Sequence, residues 1–269
     1  MLNIGMGTTQ FWFGGSEDQL QCFETALNEY GVNIIDTAEM YGNGEAERQV
    51  GRVLKRLGRE NGYLIDKILP ENATPENFDK SLQRSLKLLD TDYIDLYLLH
   101  WRENADLQFV VNKMEEYCAR GVIGNWGVSN FDVADLEELL ACENGDKCFA
   151  NEIFYNAFYR GVEYDLLDYH KEHDILTIAY SSLGTSIDRD VLARQNGVLD
   201  ICRDNNLPLE AVLLSFVTRH DNMVALFSTS SVDHLHENML AIDFDITPYM
   251  GIFNRINPAP TEKVPLEKR

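Results

Sequence analysis

The stretch Gly31-Val-Asn-Ile-Ile-Asp-Thr-Ala-Glu-Met-Tyr-Gly-Asn-Gly-Glu-Ala-Glu47 changes character twice along its length. Val32–Ile35 is a short apolar, β-branched run of the kind that forms a buried strand, and Asp36 closes it. Met40-Tyr-Gly-Asn-Gly44 is rich in turn residues, and Ala46–Leu57 then takes up the apolar spacing of an amphipathic helix. Strand, loop and helix in that order make one βα unit, and this one carries a carboxylate at the strand end and a phenol, Tyr41, in the loop.

Working outward, the same unit recurs. Further strands are expected at Leu2–Gly7, Tyr63–Ile68, Ile94–His100, Asn125–Val128, Ala150–Phe154, Ile175–Tyr180 and Met223–Phe227. Amphipathic helices are expected at Gln19–Tyr30, Phe78–Leu89, Phe109–Arg120 and Val133–Cys142, with a last one at Val232–Ala241. Eight parallel strands with crossover helices close into a (β/α)8 TIM barrel of the α/β class, and 269 residues suit a single barrel domain over 1–269. The Pro-rich close of the chain, Asn257-Pro-Ala-Pro-Thr-Glu-Lys-Val-Pro265, predicts an irregular tail from about residue 242.

Composition narrows the function classes. A formal net charge of -21 repels a phosphate backbone, so nucleic acid is not an expected partner. No apolar run approaches the roughly 18 residues of a membrane helix, and the N-terminal stretch does not read as a secretory signal. Five cysteines, odd in number and scattered, read as free thiols in a reducing, cytoplasmic setting.

In a parallel barrel the reactive groups gather at the C-terminal strand ends, where the βα loops converge. That filter selects Asp36, Lys67 and His100, with Tyr41 leaning in from its loop. Together they read as a tuned proton donor. A free phenol titrates near ~10, a neighbouring Lys67 ammonium is expected to lower that value, and Asp36 keeps the amine charged and aimed. His100 is placed to orient a carbonyl oxygen, which a donor meets as negative charge develops on it. Taken singly, each residue has a plainer reading as surface packing, a structural ion pair or a hydrogen-bonded core histidine. Their placement together is what points to chemistry, and it needs no metal.

The stretch Gly31–Glu47, Lys67 in IDKILP and His100 in LYLLHW resemble the aldo-keto reductase family, as do Gly124-Asn-Trp-Gly-Val-Ser-Asn-Phe131, Asn151-Glu-Ile-Phe-Tyr155 and Ala179-Tyr-Ser-Ser-Leu-Gly184. The likeness spans about Gly5 to Ala241 and is greatest to small prokaryotic members acting on methylglyoxal-type aldehydes. It implies reduction of small aldehydes and ketones with NADPH, with Asp36, Tyr41, Lys67 and His100 as the catalytic tetrad and Tyr41 as the acid. It implies that Thr8, Asp36, Ser129, Asn130 and Glu152 lie at the nicotinamide end, and that Tyr180 stacks on the ring. Ser181, Leu183 and Gly184 would line the pyrophosphate, with Ser228, Thr229, His234, Glu237 and Asn238 toward the adenosine. Trp12, Trp101 and Phe131 are candidate pocket walls, with structural packing an equal reading of Trp101 and Phe131. Small relatives are commonly monomers, which makes a monomer the expectation and leaves a dimer open.

The sequence departs from the family pattern in four places. Glu152 stands where a Gln is usual, and an ionised carboxylate accepts but does not donate. Ser228 and His234 stand where a Lys and an Arg usually hold the NADP phosphate, so NADH is an open alternative. Thr9 stands where many relatives have an aromatic pocket wall. The first barrel strand is not preceded by the usual floor hairpin, so another cover for the barrel floor is expected.

Two other readings compete. The same scaffold serves as a cofactor-binding regulatory module in potassium-channel β subunits, and fold alone does not separate the two. His170 and His173, with Glu172 between them, could mark a metal-dependent hydrolase, but no further ligand is evident and a solvated helix face is the simpler account.

Overall fold

A computed structural model describes residues 3–193 and 197–267. Eight parallel strands pair in sequence order and close: β1 (Ile4–Gly7), β2 (Ile34–Asp36), β3 (Tyr63–Ile68), β4 (Ile94–Leu99), β5 (Ile123–Ser129), β6 (Ala150–Phe154), β7 (Leu176–Tyr180) and β8 (Met223–Phe227). The helices that return the chain are α1 (Glu17–Tyr30), α2 (Glu45–Leu57), α3 (Phe78–Leu89), α4 (Leu107–Ala119), α5 (Val133–Leu140) and α6 (Leu166–Glu172). Between β7 and β8 lie α7 (Ser186–Ala193), α8 (Val198–Asn205) and α9 (Leu209–Thr218), and α10 (Val232–Met239) follows β8. The expected barrel is thus present, with strand ends shifted by a residue or two. Asp36 lies inside β2, β5 is longer at both ends than expected, and the expected Leu2 falls outside the described residues.

Local chemistry sets the helix starts. Ser16 and Gln19 form a reciprocal capping box at α1, and Asp132 and Asp135 form another at α5. Asp106 caps α4 and Ser231 caps α10 through their side chains.

Two cores result from the period-2 alternation of the strands. Ile34, Ile65, Leu96, Leu98, Ala150, Ile178, Val224 and Leu226 point inward and fill the barrel. Their strand neighbours, among them Ile35, Leu64, Tyr97, Leu99 and Ile153, point outward and pack under the helices. At the N-terminal ends of the strands the inner core opens into a small apolar pocket of about 150 Å³ rimmed by Tyr63, Phe149 and Leu176.

The irregular tail expected from about residue 242 is not what the chain forms. The expected last helix ends at Met239 and tightens into a 3-10 turn over Leu240–Asp243. Another turn follows at Thr247–Tyr249 and then α11 (Met250–Ile256). Phe253 on α11 is buried with its ring 5.0 Å from that of Phe216, and Arg160 donates to Asn254 Oδ1 and to the Asn257 carbonyl. Burying one aromatic ring offsets ordering of the turn that carries it.

Candidate active site

The inward parity of the strands fixes three of the four expected catalytic residues. Asp36 is two residues after inward Ile34, Lys67 two after Ile65, and His100 two after Leu98, so all three side chains enter the barrel mouth. Lys67 is fully buried, and its Nζ lies 2.5 Å from Asp36 Oδ1 and 3.1 Å from the Thr37 carbonyl. Burial alone would strip the proton from this amine, but the facing carboxyls hold its pKa well above the ordinary lysine value.

Tyr41 arrives from the loop after β2, which turns through Gly42 and Asn43 at positive φ. A Cβ on Gly42 would collide with the Trp12 carbonyl, so only glycine lets the phenol sit where it does. The Tyr41 ring lies 5.4 Å from Lys67 Nζ and edge-on to His100 at 6.0 Å. The four groups meet, as the strand-end positions require.

Lys67 acts on the phenol in the expected direction, but the net shift of Tyr41 is upward. Burial pushes Tyr41 above the usual tyrosine value, Lys67 opposes that rise, and the charges of Asp36 and Glu152 reinforce it. Lys67 therefore offsets part of a desolvation cost and does not make Tyr41 a stronger acid than free tyrosine. His100 moves the other way, held well below the usual histidine range by burial and by Lys67, so its imidazole is neutral. Its Nδ1 is buried without a hydrogen-bond partner, and its ring stacks flat on Trp101 at 3.9 Å.

Two clefts meet at Tyr41. One, of about 290 Å³, is walled by Trp12, Met40, Trp101, His100 and Tyr180. Glu152, Ser129 and Asn130 also reach it. Ser129 and the Asn130 backbone donate to the Glu152 carbonyl, while the Asn130 side chain donates to the His100 carbonyl and accepts from Tyr180. Asn130 holds this post in a left-handed conformation, φ 62. Phe131 does not line the cleft. Beyond that left-handed turn its side chain is fully buried in the outer core, which corrects its assignment as a pocket wall.

The second cleft, of about 310 Å³, runs from Asp36 and Tyr41 past Tyr180 to Ser181, Leu183, Gly184 and Ser228. Thr8 stands beside it with its hydroxyl donating to the Asp36 carbonyl. Arg189 of α7 also lines this cleft, tied to the Gly184 carbonyl at 3.1 Å. Sequence reading missed it, because no periodicity fixes where a helix inserted in a long loop comes to rest. A guanidinium, a left-handed Ser181 and Gly184, and adjoining backbone make a cradle that fits an elongated anion such as a dinucleotide pyrophosphate. Thr229 is buried at the turn before α10, His234 and Glu237 are exposed on that helix, and Asn238 is buried on its inner side. None of these four borders the cleft among the described residues.

His170 is a core residue. Its ring nitrogens meet Asn151 and Thr177 at 3.0 and 2.8 Å, and burial holds its pKa down at about 3. Among the described residues no helix is long and apolar enough to cross a membrane.

Comparison with known proteins agrees with the geometry. The sequence model of the aldo/keto reductase family matches residues 3–251. The chain is 34% identical to the methylglyoxal reductase YeaE of Escherichia coli, over 98% of this chain and 94% of that protein. It is 28% identical to an NADH-specific methylglyoxal reductase of the same organism, over 89% of this chain and 73% of that one. A crystal structure of an aldo/keto reductase from Klebsiella pneumoniae in complex with NADP and acetate superposes with a TM-score of 0.92 at 33% identity, covering 99% of this chain and 95% of that one. A closed parallel barrel, an Asp36–Lys67 pair behind Tyr41 and His100, and a family match over nearly the whole chain lead to one conclusion: the protein belongs to the aldo/keto reductase family and is an NAD(P)H-dependent oxidoreductase.

Proposed function

We propose that the protein reduces small aldehydes and ketones, 2-oxoaldehydes such as methylglyoxal among them, to alcohols in the cytoplasm. The observation that carries this reading is the convergence of Tyr41, His100 and the buried Lys67–Asp36 pair on one open cleft. The nicotinamide, when bound, supplies hydride to the carbonyl carbon. Neutral His100 holds and orients the carbonyl oxygen, and Tyr41 gives its proton to that oxygen as charge develops there. Lys67 makes that transfer less costly by offsetting the negative charge left on the phenol, and Asp36 keeps the ammonium in place. Trp12 and Trp101 leave room for a small substrate.

NADPH is the cofactor expected from the family, and NADH is a specific alternative. Ser228, Thr229 and His234 bring no firm positive charge to the region around the start of α10, and Asp18 and Asp233 border the depression beside it. Arg189 and the backbone around Ser181 and Gly184 would hold the pyrophosphate with either cofactor.

The test is loss of reduced-nicotinamide absorbance on mixing the protein with methylglyoxal and either NADPH or NADH. Turnover is expected, and Tyr41→Phe should lower kcat by about 10²–10⁴-fold, the range of a lost general acid. Dinucleotide binding by calorimetry should survive in the same variant. Undiminished turnover in Tyr41→Phe would exclude the phenol as acid, and tight dinucleotide binding with no turnover of any small carbonyl would favour a regulatory role.

A further inference from the structure

Lys67 has a second carboxyl beside it that the mechanism above does not use. Glu152 follows inward Ala150 by two residues on β6, enters the same mouth, and brings Oε2 to 3.3 Å from Lys67 Nζ. Both side chains are sealed from solvent, at 3% and 0% exposure. The ammonium thus has two carboxyls beside it in a space where an uncompensated charge is costly.

We infer that Glu152 is a positioning carboxyl of this site: beside Lys67 and Asp36 it keeps a proton at neutral pH, and its ionisation at higher pH weakens Tyr41 as an acid. Two carboxylates against one ammonium would leave a net negative charge in a dry cavity, and retaining one proton removes it. Geometry says which carboxyl keeps the proton. Asp36 holds the short, direct contact to Nζ, whereas Glu152 Oε2 sits farther off and the Glu152 carboxyl lies within hydrogen-bond reach of Asp36, an arrangement that puts the proton on Glu152. Burial and the neighbouring Asp36 charge both push Glu152 well above the usual carboxylate range, in the same sense as the geometry.

The groups facing Glu152 are few. Asp36 comes from β2, Lys67 from β3, Tyr41 from the loop after β2, His100 from the end of β4, and Ser129, Asn130 and Tyr180 from the ends of β5 and β7. Lys67 is held charged and His100 neutral; burial raises Asp36 against the opposing pull of Lys67 and raises Glu152 farther, so Glu152 is the carboxyl whose charge changes as pH rises. When it ionises, its charge joins that of Asp36 in holding the proton on Tyr41. With its proton it remains neutral and can donate a hydrogen bond into the cleft, which an ionised carboxylate cannot do.

The link to Tyr41 rests on the proposed reductase reading, whereas the shared proton does not, so two readouts are needed. The first is infrared difference spectroscopy of wild type against Glu152→Gln near neutral pH. In the difference spectrum a carbonyl stretch of a protonated carboxylic acid is expected that wild type has and the variant lacks, beyond any band the two share from other buried carboxyls, and it should bleach as wild type is titrated to alkaline pH. A spectrum without that band at neutral pH overturns the inference whether or not the protein turns over any carbonyl. Should Glu152→Gln not fold, Glu47→Gln protein carrying carbon-13 glutamate supplies the same titration through the isotope shift of the band, free of the signal of buried Glu47.

The second readout is the pH dependence of alcohol oxidation with oxidised nicotinamide, which requires the ionised phenol. Its midpoint should lie lower in Glu152→Gln by about one pH unit or more, the effect of removing one charge within ~10 Å at an effective dielectric near 20. Coincident midpoints overturn the link to Tyr41. Loss of oxidation in wild type with the infrared band present would count against the reductase reading and leave the shared proton standing.

Discussion

At the scale of single residues, the site is governed by what burial does to each ionisable group. His100 is the clearest case. Because its pKa lies well below the ordinary histidine value, the imidazole stays neutral through the range where free histidine titrates. Carbonyl reduction should therefore show no acid limb with a midpoint near ~6.5; a rate that climbs through that pH would mean that His100 protonates in the working enzyme. The sign of the stability effect follows. A histidine kept neutral when folded contributes stability above its unfolded pKa and loses it as pH falls through the folded one.

Residue identity was legible in the sequence where strand parity decides it. Asp36, Lys67 and His100 each end a β-rich run, and the alternation that buries Ile34, Ile65 and Leu98 also aims those three into the mouth. The same parity with Ala150 marks Glu152 as inward. Its approach to Lys67 was not legible, because contact across the barrel depends on register and closure. Phe131 was misread for a related reason. It follows Asn130, whose left-handed conformation ends the strand alternation and turns the Phe131 side chain into the outer core, and nothing in the sequence shows that turn. The direction of the Tyr41 shift was misread because a neighbouring charge shows in the sequence and the depth of burial does not.

At the scale of elements, β3 faces two environments. Lys67 points inward, while Asp66 points outward beneath α2 and α3, beside Glu47 of α2 and Tyr97 of β4, all fully buried. The carboxylate oxygens of Asp66 and Glu47 make no well-formed hydrogen bonds, and burial raises both above the ordinary carboxylate range, reinforced at Asp66 by Glu47 and at Glu47 by Glu39. The folded protein therefore holds these protons more tightly than the unfolded chain. Their stabilising contribution is complete below the unfolded carboxylate pKa and is lost as pH rises through the shifted values. Asp66→Asn should stabilise the protein at pH 8 by on the order of 1–3 kcal/mol, because the amide abolishes the proton uptake that folding requires there, which costs about 1.4 kcal/mol for each unit by which the folded value exceeds the unfolded one. Denaturant titrations at several pH values should also show a shallower pH slope in the variant, and a steeper one would contradict this account.

The C-terminal element carries a lesson of its own. Asn257–Pro265 reads as tail because proline interrupts every regular pattern, and that reading was extended backward over Met250–Ile256. A helix of two turns offers too little periodicity to be seen, and its anchoring is a tertiary matter of Phe253 on Phe216 and Arg160 on Asn254. Phe253→Ala should lower the unfolding free energy by about 3–5 kcal/mol. A loss below about 1 kcal/mol would mean that α11 docks without holding the barrel together.

At the scale of the whole molecule, a net charge of -21 belongs to a barrel whose centre holds the buried ammonium of Lys67. Mutual repulsion among surface carboxylates opposes the compact state and is screened by salt. The thermal midpoint near pH 8 should rise as sodium chloride is added from low ionic strength to about 0.15 M, where the Debye length is about 8 Å. A midpoint that falls would show that surface ion pairs such as Arg56–Glu17 outweigh the repulsion. The barrel itself was legible because eight units each repeat one simple alternation. Arg189 and the inserted helices around it were not, because their place depends on the finished barrel.

The placement of the indoles has an optical consequence. Trp101 lies flat on His100, Trp12 leans toward Tyr41 at 6.2 Å, and Trp126, the third tryptophan of the chain, is buried under α4 with its N–H donating to Glu115. Two of the three emitters thus stand in the mouth, and the third is shielded as a steady background. A reduced nicotinamide in the adjoining cleft absorbs near-ultraviolet light of the kind that indoles emit, so its arrival would dim the glow of Trp12 and Trp101. The protein carries its own lamp at the entrance, by which filling and emptying of the site can be watched without a label.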